Sequence, residues 1–532
     1  MAEMTGRRGF LTAAALGAAG LAGCGKRGAV ERAEGVAPLD EVSLTELADW
    51  LKSGRWSSVE LVEAYVRRAG EIDSAGPKLG SILEANPDAR DEAWRRDEER
   101  RAGRVRGPLH GIPILVKDNI ATAGRMMTTA GSLALMGWRS PVDAHVVRKL
   151  RGAGAVILGK TNLSEWANFR SMRSTSGWSG RGGQTRNPYA LDRNPSGSSS
   201  GSAVAAAASL CGAAIGTETD GSIVSPASIN GIVGVKPTVG LVSREGIIPI
   251  AHSQDTAGPM TRCVMDAALV LDALAGVDEA DGATLAQRGR AVGHYTEALD
   301  ATALRGARLG VVRSFMTNHP AVEKVLEENL RVLRERGATV VEVTLEGGEK
   351  LGPAEFEVLL YEFKADLERF LAGLPEGRPR TLAALIEFNK RNAAAEMPWF
   401  GQEILEQALK KGPLTEAAYL EARRTCLRIS REEGIDAVMA KHSLNALVGM
   451  TDGPAWPTDW INGDHFSGGS STWAAVAGYP HVTAPAGFVH GLPVGFSFMS
   501  RAWSERELLR LAGAYEHATE ARRKPKFAAQ AV

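Results

Sequence analysis

A lysine at the end of an apolar run and two serines set 24 residues apart have the types and spacing of a covalent catalytic site. Lys117 closes Gly-Ile-Pro-Ile-Leu-Val-Lys, residues 111–117; Ser198 opens Ser-Ser-Ser-Gly-Ser, and Ser222 closes Gly-Thr-Glu-Thr-Asp-Gly-Ser, residues 216–222. Burial disfavours the charged form of a lysine and lowers its pKa. A neutral amine is a base, and a base beside a serine makes a hydroxyl nucleophilic. The pattern therefore implies a serine nucleophile activated without histidine. A shorter pattern competes with it. Residues 197–201 also read Gly-x-Ser-x-Gly with Ser199 at the centre, the form of a nucleophile elbow. An elbow needs a buried strand directly before the serine, whereas residues 189–196, Tyr-Ala-Leu-Asp-Arg-Asn-Pro-Ser, are loop-like. No histidine between His252 and His517 is singled out as its partner.

From about residue 40 to 525 the chain resembles the amidase signature family. The likeness is carried by Gly159-Lys-Thr-Asn-Leu-Ser-Glu-Trp-Ala-Asn168, Gly183-Gln-Thr-Arg-Asn-Pro188, the two serine motifs and Gly234-Val-Lys-Pro-Thr-Val-Gly240. Ala477-Gly-Tyr-Pro480 and Gly491-Leu-Pro-Val-Gly495 extend it towards the C-terminus. Within the family the chain looks most like bacterial peptide amidases, through Thr-Asp-Gly-Ser in place of the commoner Thr-Gly-Gly-Ser and through Trp178-Ser-Gly-Arg-Gly-Gly183. The resemblance implies an α/β/α sandwich with a large mixed sheet covered by helices. It also implies roles: Ser222 the nucleophile, Ser198 the bridging serine, Lys117 the base, and the backbone of Thr219, Asp220, Gly221 and Ser222 the oxyanion hole. Met172 matches a position lining the acyl pocket in relatives, and Asp255, Glu165 and Asn168 match positions supporting the serine loops. Asp220 either bonds within its own loop or meets a cationic group of the substrate.

The elements that must position these groups are legible in part. Ser43-x-x-Glu46, Ser57-x-x-Glu60 and Ser504-x-x-Glu507 are capping boxes that predict three helix starts. Residues 111–116 and 155–158 are short apolar runs that predict buried strands. Residues 202–212 predict a helix of small side chains packed close against its neighbours. Residues 308–312, 320–336 and 339–343 predict a strand–helix–strand unit, its helix ended by Gly337. Residues 350–430 read as mostly helical and charged, where substrate preference can vary. A further strand is expected at residues 435–439, and 482–488 is expected to pair with 492–499 across Val489-His-Gly. Trp178, Trp399 and Trp456 are candidate walls of a substrate pocket, with residues 454–460 as its lip.

Composition narrows the function class. The 532 residues carry 62 basic and 62 acidic side chains, so no electrostatic footprint for nucleic acid is present. Arg7-Arg8 precedes a short apolar stretch, residues 10–23, and the sequence Leu21-Ala-Gly-Cys24 follows. This reads as a twin-arginine, lipoprotein-type signal over residues 1–24, with Cys24 the acylated first mature residue, a stalk over 25–38 and the catalytic domain over 39–525. An exported, periplasmic or cell-envelope enzyme meeting the membrane only through lipid is expected. Cys211, Cys263 and Cys426 are odd in number and far apart, so no disulfide framework, metal site or cofactor is expected. The expectation is an amidase acting on C-terminal peptide amides or amino-acid amides through an acyl-serine. The rivals are a non-catalytic binding lipoprotein on the same fold and an amidotransferase-type glutamine amidase subunit.

Overall fold

Eleven strands form one mixed sheet, seen in a computed structural model that describes residues 36–290, 293–315 and 319–531. In chain order they are β1 (Ile82–Ala85), β2 (Pro113–Lys117), β3 (Val156–Thr161), β4 (Ala213–Glu218), β5 (Val233–Lys236) and β6 (Thr256–Thr261). There follow β7 (Arg308–Val312), β8 (Thr339–Val343), β9 (Ala446–Met450), β10 (His481–Val489) and β11 (Leu492–Met499). Their spatial order is β1-β3-β2-β4-β6-β5-β10-β11-β9-β7-β8. Every residue of β2, β3, β4, β6, β9 and β11 is buried, so helices and loops cover both faces, as the α/β sandwich requires. The edge strands β1 and β8 are the least covered.

Topology sets the site. β2 pairs in parallel with β4, Val116 opposite Ile215, so the carboxyl ends of both strands emerge at one edge of the sheet. Lys117 ends the first and the Thr219–Ser222 loop follows the second. The serine-rich loop enters the same edge through the helix Ser200–Ala207, whose residues are all buried; only Ser, Gly, Ala and Val occur in it, which lets it lie close to the sheet.

The strand–helix–strand unit is present, β7 and β8 running parallel around the helix Pro320–Glu335. β10 and β11 form the expected hairpin, with Val489 opposite Leu492. Two capping boxes are complete: Ser43 with Glu46, and Ser57 with Glu60. Three expectations are corrected. Residues 435–439 are helical, because Ile435, Val438 and Met439 follow a helical spacing that buries Ile435 and Met439; the strand comes later, at Ala446–Met450. The last helix does start after Ser504, at Glu505, but Ser504 caps no N–H and instead donates to the Arg501 carbonyl at 2.5 Å, while Glu507 is drawn to Arg510 at 2.8 Å. The helix expected over 202–212 ends at Ala207. The packed body reaches from the buried Ala37 to the C-terminal residues, where Phe527 N–H donates to the Pro188 carbonyl and Ala528 bridges Ala190. The signal segment and Cys24 lie outside the described residues. Among the described residues no helix is long and apolar enough to cross a membrane.

Arg262 locks the N-terminal segment to this sheet. Its buried guanidinium donates to the carbonyls of Ala206 and Cys211, each at 3.1 Å, and to that of Val42. One turn on, Asp266 accepts the Leu44 N–H at 3.0 Å. Removing the guanidinium orphans buried carbonyls and leaves Asp266 without its counter-charge. Arg262→Ala is expected to cost about 3–5 kcal/mol, read as a fall in the urea midpoint; a loss below about 1 kcal/mol would contradict this role.

Candidate active site

Lys117 is fully buried, and its Nζ has four oxygens around it: Ser198 Oγ at 2.7 Å, Ser199 Oγ at 2.9 Å, Thr217 Oγ1 at 2.9 Å and the Thr217 carbonyl at 3.2 Å. Desolvation lowers its pKa to about 7, against the weaker upward pull of Glu218 and Asp255. A neutral amine has two N–H donors and one lone pair, so one neighbouring hydroxyl has to donate to it. The Ser199 proton is committed to the Thr217 carbonyl at 3.0 Å, and Thr217 Oγ1 also accepts from Asn119 at 2.9 Å. Ser198 makes the shortest contact. It also lines the cavity, which Ser199 does not. Ser198 is therefore the hydroxyl placed to pass a proton to the amine.

That cavity has a volume of about 360 Å³ and is lined by Ser198, Ser222 and Thr219. Beside them stand an apolar wall, Ile247 to Ile250 with Phe370, and a charged rim that includes Arg244, Asp281 and Arg369. Two glycines shape the loops. Gly221 has φ +77°, a conformation that other residues adopt only under strain, and it sets the turn before Ser222. A Cβ on Gly197 would fall 2.2 Å from Ser164 Oγ, so no other residue fits there. Among the described hydrogen bonds none takes the backbone N–H of Thr219, Asp220, Gly221 or Ser222, while the Glu218 carboxylate takes the next two, Ile223 at 2.7 Å and Val224 at 3.0 Å. Donors left in this way at a cavity suit a developing oxyanion.

The supporting residues hold these loops. Asp255 accepts the Thr219 hydroxyl at 2.6 Å and the Ile250 and Ala251 N–H groups at 2.8 and 2.9 Å, which ties the oxyanion loop to the apolar wall; burial raises its pKa to about 6. Glu165 pairs with Arg170 and accepts the Gly180 N–H at 2.7 Å, and Asn168 donates to Ser176 Oγ at 3.0 Å. Asp220 accepts the Thr472 hydroxyl at 2.7 Å and is absent from the cavity lining, which gives it a structural role in its loop.

Several expectations are corrected. Met172 is 68% exposed and outside the cavity lining, because Glu403 holds its turn through the Ser171 hydroxyl and the Met172 N–H. Trp178 packs edge-on against Phe400 under Arg170, Trp399 stacks on Trp460, and Trp456 packs on Phe466; none of the three candidate tryptophans lines the cavity. Nor does any residue of 454–460, the expected lip. The elbow reading fails on geometry, since Ser199 is buried off the cavity and follows a loop. The expectation that no residues have metal-ligand spacing is also corrected: the fold brings ligand atoms of His252, Glu362 and Asp366 to within 4.8 Å of one another. They engage each other, His252 Nδ1 lying 2.7 Å from Asp366 and Nε2 lying 3.5 Å from Glu362, and the Asp366 hydrogen bond leads in raising the imidazole pKa. The linear sequence hides this group because His252 stands about 110 residues before the other two. The apolar wall was missed as well, although Gly-Ile-Ile-Pro-Ile stands just before the supporting Asp255.

Comparison with known proteins agrees with the geometry. The Amidase family matches residues 60–509. The structure of a native peptide amidase from Stenotrophomonas maltophilia superposes with a TM-score of 0.89 at 54% identity, covering 92% of this chain and 99% of that one. A peptide amidase in complex with the competitive inhibitor chymostatin superposes with the same score, identity and coverage. A glutamyl-tRNA(Gln) amidotransferase subunit from Symbiobacterium thermophilum is 36% identical over 483 residues, 88% of this chain and 95% of that one.

The arrangement fixes a pH dependence and a contrast between neighbouring serines. Only the neutral amine accepts a proton, so kcat/KM should rise with pH through about 7, the value to which burial brings Lys117. Ser198→Ala should lower kcat by about 10³-fold or more, as loss of one member of a catalytic unit does, while Ser199→Ala should cost far less. Equal losses at the two serines, or a profile still rising above pH 9, would refute this relay.

Proposed function

The chain belongs to the amidase signature family and is an amidase; from that premise we propose that it is a peptide amidase, which releases ammonia from C-terminal peptide amides through an acyl-Ser222 intermediate. The observation that carries the reading is the 2.7 Å bond from Lys117 to Ser198 at the cavity that also holds Ser222. Support for the substrate class comes from the 54% identity to a peptide amidase over nearly that enzyme's whole length. The peptide amidase bound by chymostatin, equally similar, adds to it.

In the first half-reaction the Ser222 hydroxyl attacks the amide carbon while its proton passes to Ser198 Oγ and the Ser198 proton passes to Lys117 Nζ. The carbonyl oxygen, now negative, accepts from the N–H groups of residues 219–222. Reversal of the relay protonates the amide nitrogen, the carbon–nitrogen bond breaks, and ammonia leaves an ester on Ser222. Water repeats the sequence, giving the acid and restoring the serine. The apolar wall of Ile248, Ile250 and Phe370 suits the side chain next to the amide, and the rim beyond it suits peptide backbone.

The similarity to the amidotransferase of Symbiobacterium thermophilum favours glutamine as a second substrate to test. An amidated dipeptide should exceed both glutamine and acetamide in kcat/KM by about 10²-fold or more, since each apolar pocket contact is worth about 10–200-fold. Ammonia release at equal rates from acetamide and the dipeptide amide would reject the peptide class, and preference for glutamine would favour the amidotransferase reading.

We also propose export and lipid anchoring at Cys24, on the strength of Arg7-Arg8 and Leu21-Ala-Gly-Cys24. Mass spectrometry of the mature N-terminus should find an acylated Cys24; an unmodified cysteine there would reject the anchor.

A further inference from the structure

The long helix Gly348–Ala372 carries three buried acids, Glu355, Glu362 and Asp366, seven and then four residues apart and so on one face. That face grips one short segment, residues 252–255. Asp366 accepts the His252 N–H at 3.0 Å, Glu362 accepts the Ser253 N–H at 2.9 Å, and Glu355 accepts from the Gln254 side-chain amide at 2.8 Å. The same Gln254 amide nitrogen donates to the Thr219 carbonyl at 3.2 Å, and Asp255 accepts the Thr219 hydroxyl. The segment thus leads from the helix to residues 219–222, whose backbone N–H groups no described hydrogen bond takes.

Glu355 also bears on that loop directly, because its buried carboxyl and that of Asp220 are close enough to act on each other. Asp220 Oδ2 takes the Thr472 hydroxyl, and its Oδ1 is buried without an N–H or O–H donor among the described residues. Two bare carboxylates in contact repel each other, whereas one proton between them makes a strong hydrogen bond and satisfies Oδ1.

We propose that Glu355 is a positioning residue for amide hydrolysis: joined to Asp220 and Gln254, its carboxyl fixes the backbone of residues 219–222 on which the oxyanion rests. This rests on the acyl-Ser222 reading above. Catalysis by backbone donors depends on their being in place before charge develops, and Glu355 holds both flanks of the Thr219–Asp220 peptide unit. The charged and polar neighbours of the pair are Lys236, Glu218 and Asp452, with Ser471 and Thr472 on the helix Ser471–Ala477 and Cys426 on Ala417–Leu427. Burial leads in raising both carboxyls above the usual range, and repulsion from Asp220 adds to it at Glu355. The pair therefore holds a proton to higher pH than isolated carboxyls would, and rising pH removes it. Losing it sets two carboxylates against each other and pushes Asp220 away, so activity falls on the alkaline side.

The experiment compares wild type, Glu355→Gln and Glu355→Ala on an amidated dipeptide, with kcat and KM followed against pH and Tm recorded for each. Glutamine keeps both hydrogen bonds, donating to Asp220 and accepting from Gln254, and has no proton to lose. Its kcat is expected within about threefold of wild type at neutral pH, since the geometry is conserved, with the alkaline fall absent. The alanine variant is expected to lose about 10- to 100-fold in kcat with KM changed by less than about threefold, because misplaced donors act on the transition state. An alkaline fall identical in wild type and Glu355→Gln would overturn the proposal, as would an alanine variant altered in Tm alone; where alanine prevents folding, the glutamine profile decides. Failure of the wild type to hydrolyse any amide would instead refute the parent reading.

Discussion

One buried amine organises the site. In water Lys117 would be a cation at neutral pH; burial at the carboxyl end of β2 takes away the water that stabilises the charge. What replaces the water is a set of neutral oxygens from Ser198, Ser199 and Thr217, enough to satisfy the hydrogens of an amine but not enough to equal hydration of an ammonium ion. The sheet is the device that makes this arrangement. Parallel pairing of β2 with β4 brings Lys117 to Thr217, and the helix behind the serine loop has side chains small enough to let Ser198 and Ser199 approach the same point.

A second constraint acts at a distance in sequence. The oxyanion loop is short and contains a glycine, so its own conformational preferences do not fix it. Its rigidity comes from outside, from Asp255 and Gln254 on one side and Thr472 on the other. The segment 252–255 is in turn held by a helix about a hundred residues further along the chain. A helical region that the sequence marks as variable substrate territory thus supplies both sides of the problem: Phe370, Arg369 and Asp366 line the cavity, while Glu355 and Glu362 hold the segment that supports the loop.

What was legible in the sequence follows from how local each signal is. Lys117, Ser198 and Ser222 sit in contiguous motifs, and their roles need only the short loops around them. The capping boxes at Ser43 and Ser57 are closed within four residues, and both are present. Ser504 has the same pattern but lost the competition, because Arg510 stands one turn beyond Glu507 and takes its carboxylate. Strands such as Thr256–Thr261, with Gly258 and Pro259 inside, have little intrinsic β preference and exist because neighbours on both sides pair with them. The pocket wall was harder still. Tryptophans are natural candidates for binding, yet here they stack on one another or on Arg170, and aliphatic Ile248 and Ile250 line the cavity instead. A hydrophobic run states that it will be covered, not by what.

Electrostatics suits a lysine to the role of base in the proposed relay. In the proposed relay, attack on the amide creates two charges at once, a cation on Lys117 and an anion on the former carbonyl oxygen. In a dry site isolated charges are costly, but a pair born together attracts. Glu218 and Asp255 bias the amine towards accepting the proton, and burial keeps it from holding one beforehand. A lysine brought to about 7 by these opposed influences gains and loses a proton readily near neutral pH. A histidine would begin there without help, but it would need a partner to orient its ring. Lys117 needs no orienting partner, because its rotatable N–H donors accept the geometry that Ser199 and Thr217 offer and leave the lone pair to Ser198.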